Sequence, residues 1–280
     1  MTILLPDNPI PRQFELAMQM VAAVGRREFV CAALAGGPGI GKTFLTERTL
    51  NSMGVPFQIV RGTSHAALLL AAYQMRDGGV IFLDDADSLV LGGGAHGANT
   101  MKQLTAPLKV RTIHNHTISA FKNMHAKKRN PFIPPPEFQT KVGFLWNTNI
   151  VFDGESVDPA KMEHIQPLID RGLQPIRISD DPTYLLNYVM HLVADQNLRL
   201  GGHRILSLAE RQEVVDYYHD NAWRLNPISV RMLETFGQYR SSFPTNWKEQ
   251  AEGRLHREPI YDLPKGPKPI VSVPTLKKAA

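Results

Sequence analysis

The stretch GGPGIGKT, Gly36 to Thr43, constrains this chain more than any other eight residues in it. It fits G-x-x-x-x-G-K-[ST], follows an apolar run of strand character (FVCAALA from Phe29) and opens a helical pattern at Lys42. Glycines there let successive backbone N–H groups turn inward onto an oxyanion, and the helix N-terminus adds a favourable partial positive charge. Lys42 supplies a point charge to outer phosphates, and the Thr43 hydroxyl is a ligand for Mg²⁺. Gly36, Gly37, Pro38, Gly39, Ile40, Gly41, Lys42, Thr43 and Phe44 are therefore the expected seat of a nucleotide such as ATP.

An acidic cluster follows a second apolar run, VIFLDDADSL. Four apolar residues ending in a carboxylate put Asp84 at the carboxyl end of a strand, where it can hold the Mg²⁺ shell. Asp85 is then placed to orient or deprotonate a water for in-line attack on the γ-phosphate. Asp87 reads equally well as a helix N-cap acid.

Four short apolar runs read as buried parallel strands: FVCAALA, PFQIV from Pro56, GVIFL from Gly79 and VGFLW from Val142, with PIRI from Pro175 a fifth. Helical patterns separate them, at Lys42 to Met53 and at Ser64 to Met75, with Ser64 as an N-cap. Phe14, Ala17, Met18, Val21 and Ala22 place one amphipathic helix ahead of the first strand. Strands alternating with helices call for a parallel sheet covered on both faces, with ligands at the strand carboxyl ends.

After Asp180 strand signals stop. Asp181-Pro182, a capping box from Ser207 to Glu210, and Ser229 each announce a helix, and Gly201-Gly202 a loop. The expected organisation is an N-terminal helix over 1–28, an α/β nucleotide-binding domain over 29–180 with a basic insertion at about 110–138, a helical domain over 181–243 and a Pro/Lys-rich tail over 244–280. Five prolines after residue 258 make the end of that tail extended rather than helical.

Lys and Arg number 31 against 26 acids, a net charge of +5. The charge is concentrated: from Lys102 to Lys141 eight basic residues face one acid, Glu137, so these forty residues carry +7. Within them FKNMHAKKRNPFIPPP offers Lys127, Lys128 and Arg129 as contacts for nucleic-acid phosphates, with Phe121 or Phe132 available for base stacking. The preceding GGGAHGANT reads as a flexible loop. A single cysteine, Cys31, lies in an apolar run and excludes a disulfide framework. His114 and His116 form an H-x-H pair with no Cys or acidic neighbours to complete a zinc site. The first residues lack a signal-peptide pattern and no apolar stretch reaches 18 residues, so the expectation is no membrane and a cytoplasmic location.

GGPGIGKT, VIFLDD about forty residues on, then FLWNTN, LIDRG and a terminal helical region resemble the AAA+ ATPases in motif order and separation, over roughly Phe29 to Gly237. RGTSHAALLLAAY, FLDDADSL, MKQLTAPLKVRTI and PPPEFQTKVGFLWNTN look like AAA+ proteins common in bacteriophage genomes, which would place the chain in a host-cell cytoplasm. The resemblance implies an α/β P-loop NTPase fold, a five-stranded parallel sheet covered by helices on both faces and followed by a small all-helical lid domain. It implies further roles: Asn149 as the sensor-1 residue facing the attacking water or γ-phosphate, with Asn147 the alternative if the strand ends earlier. Arg171 takes the place of the arginine finger that reaches a neighbouring subunit, with Arg177 nearby, and Arg231 that of sensor 2. A hairpin ahead of sensor 1 meets DNA in several AAA+ lineages. One departure stands out: Asp85 occupies a position where most AAA+ motors carry Glu, which implies slow hydrolysis or the need for a partner.

Two functional readings follow. In the first, a homo-oligomeric ring or open ring hydrolyses ATP with Mg²⁺ to remodel or translocate DNA or a DNA-bound protein client. In the second, the chain is an ATP-dependent DNA-binding switch, a helicase-loader-like matchmaker with little turnover. Asp85 favours the switch and Arg171 the motor.

Overall fold

A computed structural model of the chain describes residues 7–62, 65–92, 94–114, 134–150, 159–195, 200 and 204–263. Cα proximity sorts the chain into two units: Met1–Arg12, Gly37–Gly41 and Ser179–Ala280 in one, Gln13–Gly36 and Lys42–Ile178 in the other.

The second of these units is built on a five-stranded parallel sheet. Its strands are β1 (Cys31–Ala35), β2 (Phe57–Arg61), β3 (Val80–Asp84), β6 (Gly143–Thr148) and β7 (Gln174–Arg177), in the order β2-β3-β6-β1-β7. All five strands read from the sequence are therefore present. β1, β3 and β6 are buried along their whole length, as strands covered on both faces must be.

The pleat sends alternate side chains to opposite faces, and the two halves of the core follow that alternation. Cys31, Ala33, Ile81, Leu83, Phe144 and Trp146 form one cluster. It is closed by Leu68, Leu69 and Ala72 of α3 (His65–Gln74), Leu89 and Val90 of α4 (Asp87–Gly92), Met101 and Leu104 of α5 (Gly94–Leu104), and Ile165 and Leu168 of α6 (Pro159–Ile169). Ala32, Leu34, Val80, Phe82 and Leu145 face the other way, onto Ala17, Val21 and Val24 of α1 (Ile10–Gly25) and Leu50 of α2 (Lys42–Ser52).

This order sets the site. β1 leads through α2 to β2 on one side, while β7 pairs with β1 on the other, so the end of β1 is the point where the strand order reverses. A crevice opens at such a point, outside the carboxyl ends of the strands.

Two elements depart from the sequence reading. GGGAHGANT, expected as a flexible loop, is helical in its described residues: α4 ends at Gly92 and α5 starts at Gly94. The reason is tertiary. Leu89, Val90, Met101 and Leu104 are at most 2% exposed, and burial of four such side chains, at about 1.5–3 kcal/mol each, outweighs the roughly 1 kcal/mol that each glycine costs a helix. The basic insertion stands on a small antiparallel ribbon, β4 (Arg111–His114) paired with β5 (Glu137–Thr140). Its inward residues Ile113 and Phe138 join the core, and Phe138 meets Tyr73 edge-on at 5.1 Å.

In the other unit, α7 (Pro182–Asp195), α8 (Leu208–Asp220), α9 (Val230–Ser242) and α10 (Trp247–Glu252) follow one another. The expected starts are present: Asp181 accepts from the Thr183 amide at 2.8 Å, Ser207 and Glu210 form a reciprocal capping box, and Ser229 Oγ accepts from the Met232 amide. Trp247–Glu252, which the sequence reading put in the tail, form α10. Trp247 and Ala251 of α10 are buried, and Trp247 packs edge-on against Tyr217.

Candidate nucleotide site

Four side chains converge at the carboxyl ends of β1, β3 and β6. The register sets Asp84 opposite Asn147, and β2 brings Arg61 opposite Asp84 on its other side. The Thr43 hydroxyl donates to Asp84 Oδ1 at 2.7 Å, and Asn147 Nδ2 lies 2.7 Å from the same oxygen and 2.9 Å from Thr43 Oγ1. Arg61 Nε donates to the second oxygen, Oδ2, at 3.1 Å. A carboxylate only 4% exposed requires such donors, because an unpaired buried charge is costly. Lys42, also 4% exposed, turns its ammonium back onto the Gly36 carbonyl at 2.6 Å and reaches Asn149 Oδ1 at 3.3 Å.

The loop leading into α2 needs glycine. Gly39 and Gly41 have φ of +72° and +103°, a region that side chains disfavour. At Gly39 a Cβ would also lie 3.0 Å from the Ser229 side chain, and the Gly39 carbonyl accepts from the Arg231 amide at 3.4 Å. At Gly37 and Gly41 a Cβ would meet nothing within 4 Å, so the main chain there borders open space.

These residues fit a magnesium-bound nucleotide by the chemistry of their donors. Thr43 and Asp84 are hard oxygen ligands of the kind Mg²⁺ takes. Lys42 is held against neutral oxygens that a phosphate would outcompete. Asn147 Oδ1 is buried and has no partner, which leaves it able to accept from a ligand group or a water.

Residues 32–121 match the family model described as "ATPase family associated with various cellular activities (AAA)". Those residues are similar to the AAA family's ATPase domain. The matched residues include the glycine loop, Thr43 and Asp84. No curated protein matches the chain. Among solved structures, three mutant forms of RuvB from Thermotoga maritima are similar to it, at 14%, 15% and 14% identity with TM-scores of 0.38, 0.36 and 0.37. They cover 82–83% of this chain, which spans 62% of the length of each.

Around the glycine loop the remaining expected residues are distributed as follows. Asp85 is exposed and holds a φ of +52°, an uncommon conformation for a residue other than glycine. Asp87 anchors the end of β6: its Oδ1 accepts from Trp146 Nε1 at 3.1 Å and its Oδ2 from the Asn149 amide at 3.4 Å. Both asparagines of NTN reach the cluster, since β6 ends at Thr148; buried Asn147 touches Thr43 and Asp84, and exposed Asn149 touches Lys42. Phe44 is 65% exposed, and Arg171 and Arg231 are exposed as well. Lys127, Lys128 and Arg129 lie outside the described residues, as do Phe121, Phe132 and His116.

Cys31 is fully buried, and burial pushes its thiol up to about 12. Sequence reasoning missed Arg61, which holds Asp84 from β2 and approaches Glu47 at 3.9 Å. A signal was present: Arg61 closes FQIVR at the carboxyl end of β2 as Asp84 closes VIFLD in β3.

Proposed function

We propose that this chain is a homo-oligomeric, magnesium-dependent ATPase that couples hydrolysis to the remodelling or translocation of DNA or of a DNA-bound protein. The observation that carries the nucleotide half of this reading is the hydrogen-bonded set Thr43, Asp84 and Asn147 beside Lys42. Glycine-loop amides cradle the phosphates, and Lys42 neutralises charge on the outer ones. Thr43 and Asp84 hold Mg²⁺, which supplies electrostatic stabilisation of the charge on the transferring phosphoryl group. Asp85 takes the proton of the attacking water, and Asn147 or Asn149 orients that water. Arg171, exposed at the end of α6, reaches the nucleotide of a neighbouring subunit, and Arg231 serves from α9.

The DNA half rests on the +7 carried between Lys102 and Lys141. Lys127, Lys128 and Arg129 are its phosphate contacts. Salt titration of DNA affinity tests them, because each lost phosphate contact lowers the log–log slope by about one. A Lys127/Lys128/Arg129→Ala variant should lose roughly two to three units of slope; an unchanged slope removes these residues from the interface.

The second reading, an ATP-dependent switch with little turnover, is favoured by one observation. Asp85 is one methylene shorter than Glu and sits on left-handed backbone, which limits its reach toward a water. Steady-state phosphate release by the full chain, with and without DNA, separates the two. A motor is stimulated by DNA; a switch retains DNA only with ATP bound and turns over slowly in both conditions. Absence of nucleotide binding would reject both.

A further inference from the structure

At the opposite end of the sheet, where β1 and β6 begin, lies a cavity of about 340 Å³. Strand β1 alone separates it from the phosphate loop by roughly 16 Å, at about 3.3 Å per residue. Among the described residues its wall carries five cations, Arg26, Arg27, Lys109, Arg111 and Lys141, and no carboxylate. Arg26 is paired outside the cavity with Glu28 at 2.7 Å. Phe29 stands in the same wall and is 43% exposed.

Arg111 distinguishes this cavity from a solvated basic surface. It is 2% exposed, its Nη2 donates to the Val142 carbonyl, and its Nε has no partner. Among the described residues no carboxylate pairs with it, and burial pushes the guanidinium down to about 10. A buried, incompletely satisfied cation is costly by itself and is stabilised when an anion approaches. Three further cations without a carboxylate beside them in the wall raise the local positive potential in the same concavity.

We infer that this cavity binds a nucleotide unit, a phosphate group carrying an aromatic base, from a free nucleotide or from a single strand. The guanidinium and ammonium groups match phosphate oxygens. Exposed Phe29 provides the flat apolar face on which a base stacks. A volume near the lower end of the roughly 300–1,000 Å³ typical of ligand pockets suits one such unit. The inference is independent of the ATP reading, because none of these residues belongs to the phosphate loop or its acidic partners.

The test uses the full chain with two probes, a fluorescein-labelled twelve-residue oligodeoxythymidylate and free thymidine monophosphate. Variants are Lys109→Glu/Lys141→Glu and Phe29→Ala, all at exposed positions, with melting temperature and ATP hydrolysis recorded alongside. The double charge reversal should weaken binding at least tenfold and reduce the oligonucleotide salt slope by about two. Phe29→Ala should weaken binding several-fold with the slope unchanged, and hydrolysis without nucleic acid should stay at the wild-type rate. Weakening of the oligonucleotide alone assigns the site to a strand; weakening of the mononucleotide alone assigns it to a free nucleotide. Wild-type binding of both probes by both variants, or no binding of either probe by the wild type, overturns the inference. Loss of hydrolysis in a Lys42→Ala control reports only on the phosphate loop.

Discussion

The Thr43 hydroxyl donates to the Asp84 carboxylate at 2.7 Å across a separation of 41 residues. That bond ties the first turn of α2 to the end of β3, and on the proposed reading it sets both oxygens where Mg²⁺ would be held. Asp84→Asn keeps the size and removes the charge, so metal is held poorly while the Arg61 guanidinium loses its ionic partner. Magnesium-dependent phosphate release should fall at least about a hundredfold. A rate within threefold of wild type across a Mg²⁺ titration would show that Asp84 is not the metal ligand.

Lys42→Met separates binding from stability. The ammonium is buried, and replacing a buried charge by an apolar group of similar length is often neutral or stabilising. Thermal unfolding should therefore shift by only a few degrees, while calorimetry with Mg²⁺ and ATP should register no binding heat. Unaltered nucleotide affinity would contradict the cradle assignment.

Asp85 holds its φ of +52° at some cost to stability. Asp85→Gly should raise the urea midpoint, corresponding to up to about 1 kcal/mol, and abolish hydrolysis by removing the carboxylate. Asp85→Asn should abolish hydrolysis with little change in stability. If either variant turned over at the wild-type rate, the attacking water would have to be activated elsewhere.

Arg171 acts across a subunit boundary in the proposed oligomer. Lys42→Ala and Arg171→Ala subunits should each be inactive alone but supply complementary halves of a mixed interface. Combining them should restore measurable phosphate release, with a maximum near equal proportions. A flat response over all ratios would return Arg171 to the ordinary exposed surface.

Cys31 gives a pH-dependent check on the core. Its thiol is raised from about 9 to about 12 by burial, so the folded state keeps a proton that the unfolded state releases. The associated stability is fully present below pH 9 and is lost as pH rises from about 9 to 12. Ellman's reagent at pH 8 should label Cys31 at the rate of unfolding, not at that of an exposed thiol. Rapid labelling of the native chain would show that the β1 end of the core opens.

The local sequence alone determined the phosphate loop, the five parallel strands and the helix starts at Asp181, Ser207 and Ser229. Each is a short-range signal: glycines that permit positive φ, apolar runs buried on both faces, and side-chain oxygens that satisfy the first free amides of a helix. The sequence also supplied Asp84 and both asparagines of NTN. Only the tertiary structure decided that Asn147 meets Thr43 and Asp84 while Asn149 meets Lys42, because strand register fixes which neighbours each side chain meets across the sheet. It likewise decided that Arg61 steadies Asp84, that a glycine-rich stretch becomes helix, and that Arg111 lies buried among cations at the far edge of the sheet. Those outcomes depend on contacts between residues distant in the chain, whose burial energy exceeds local preference and leaves no periodic trace in the sequence.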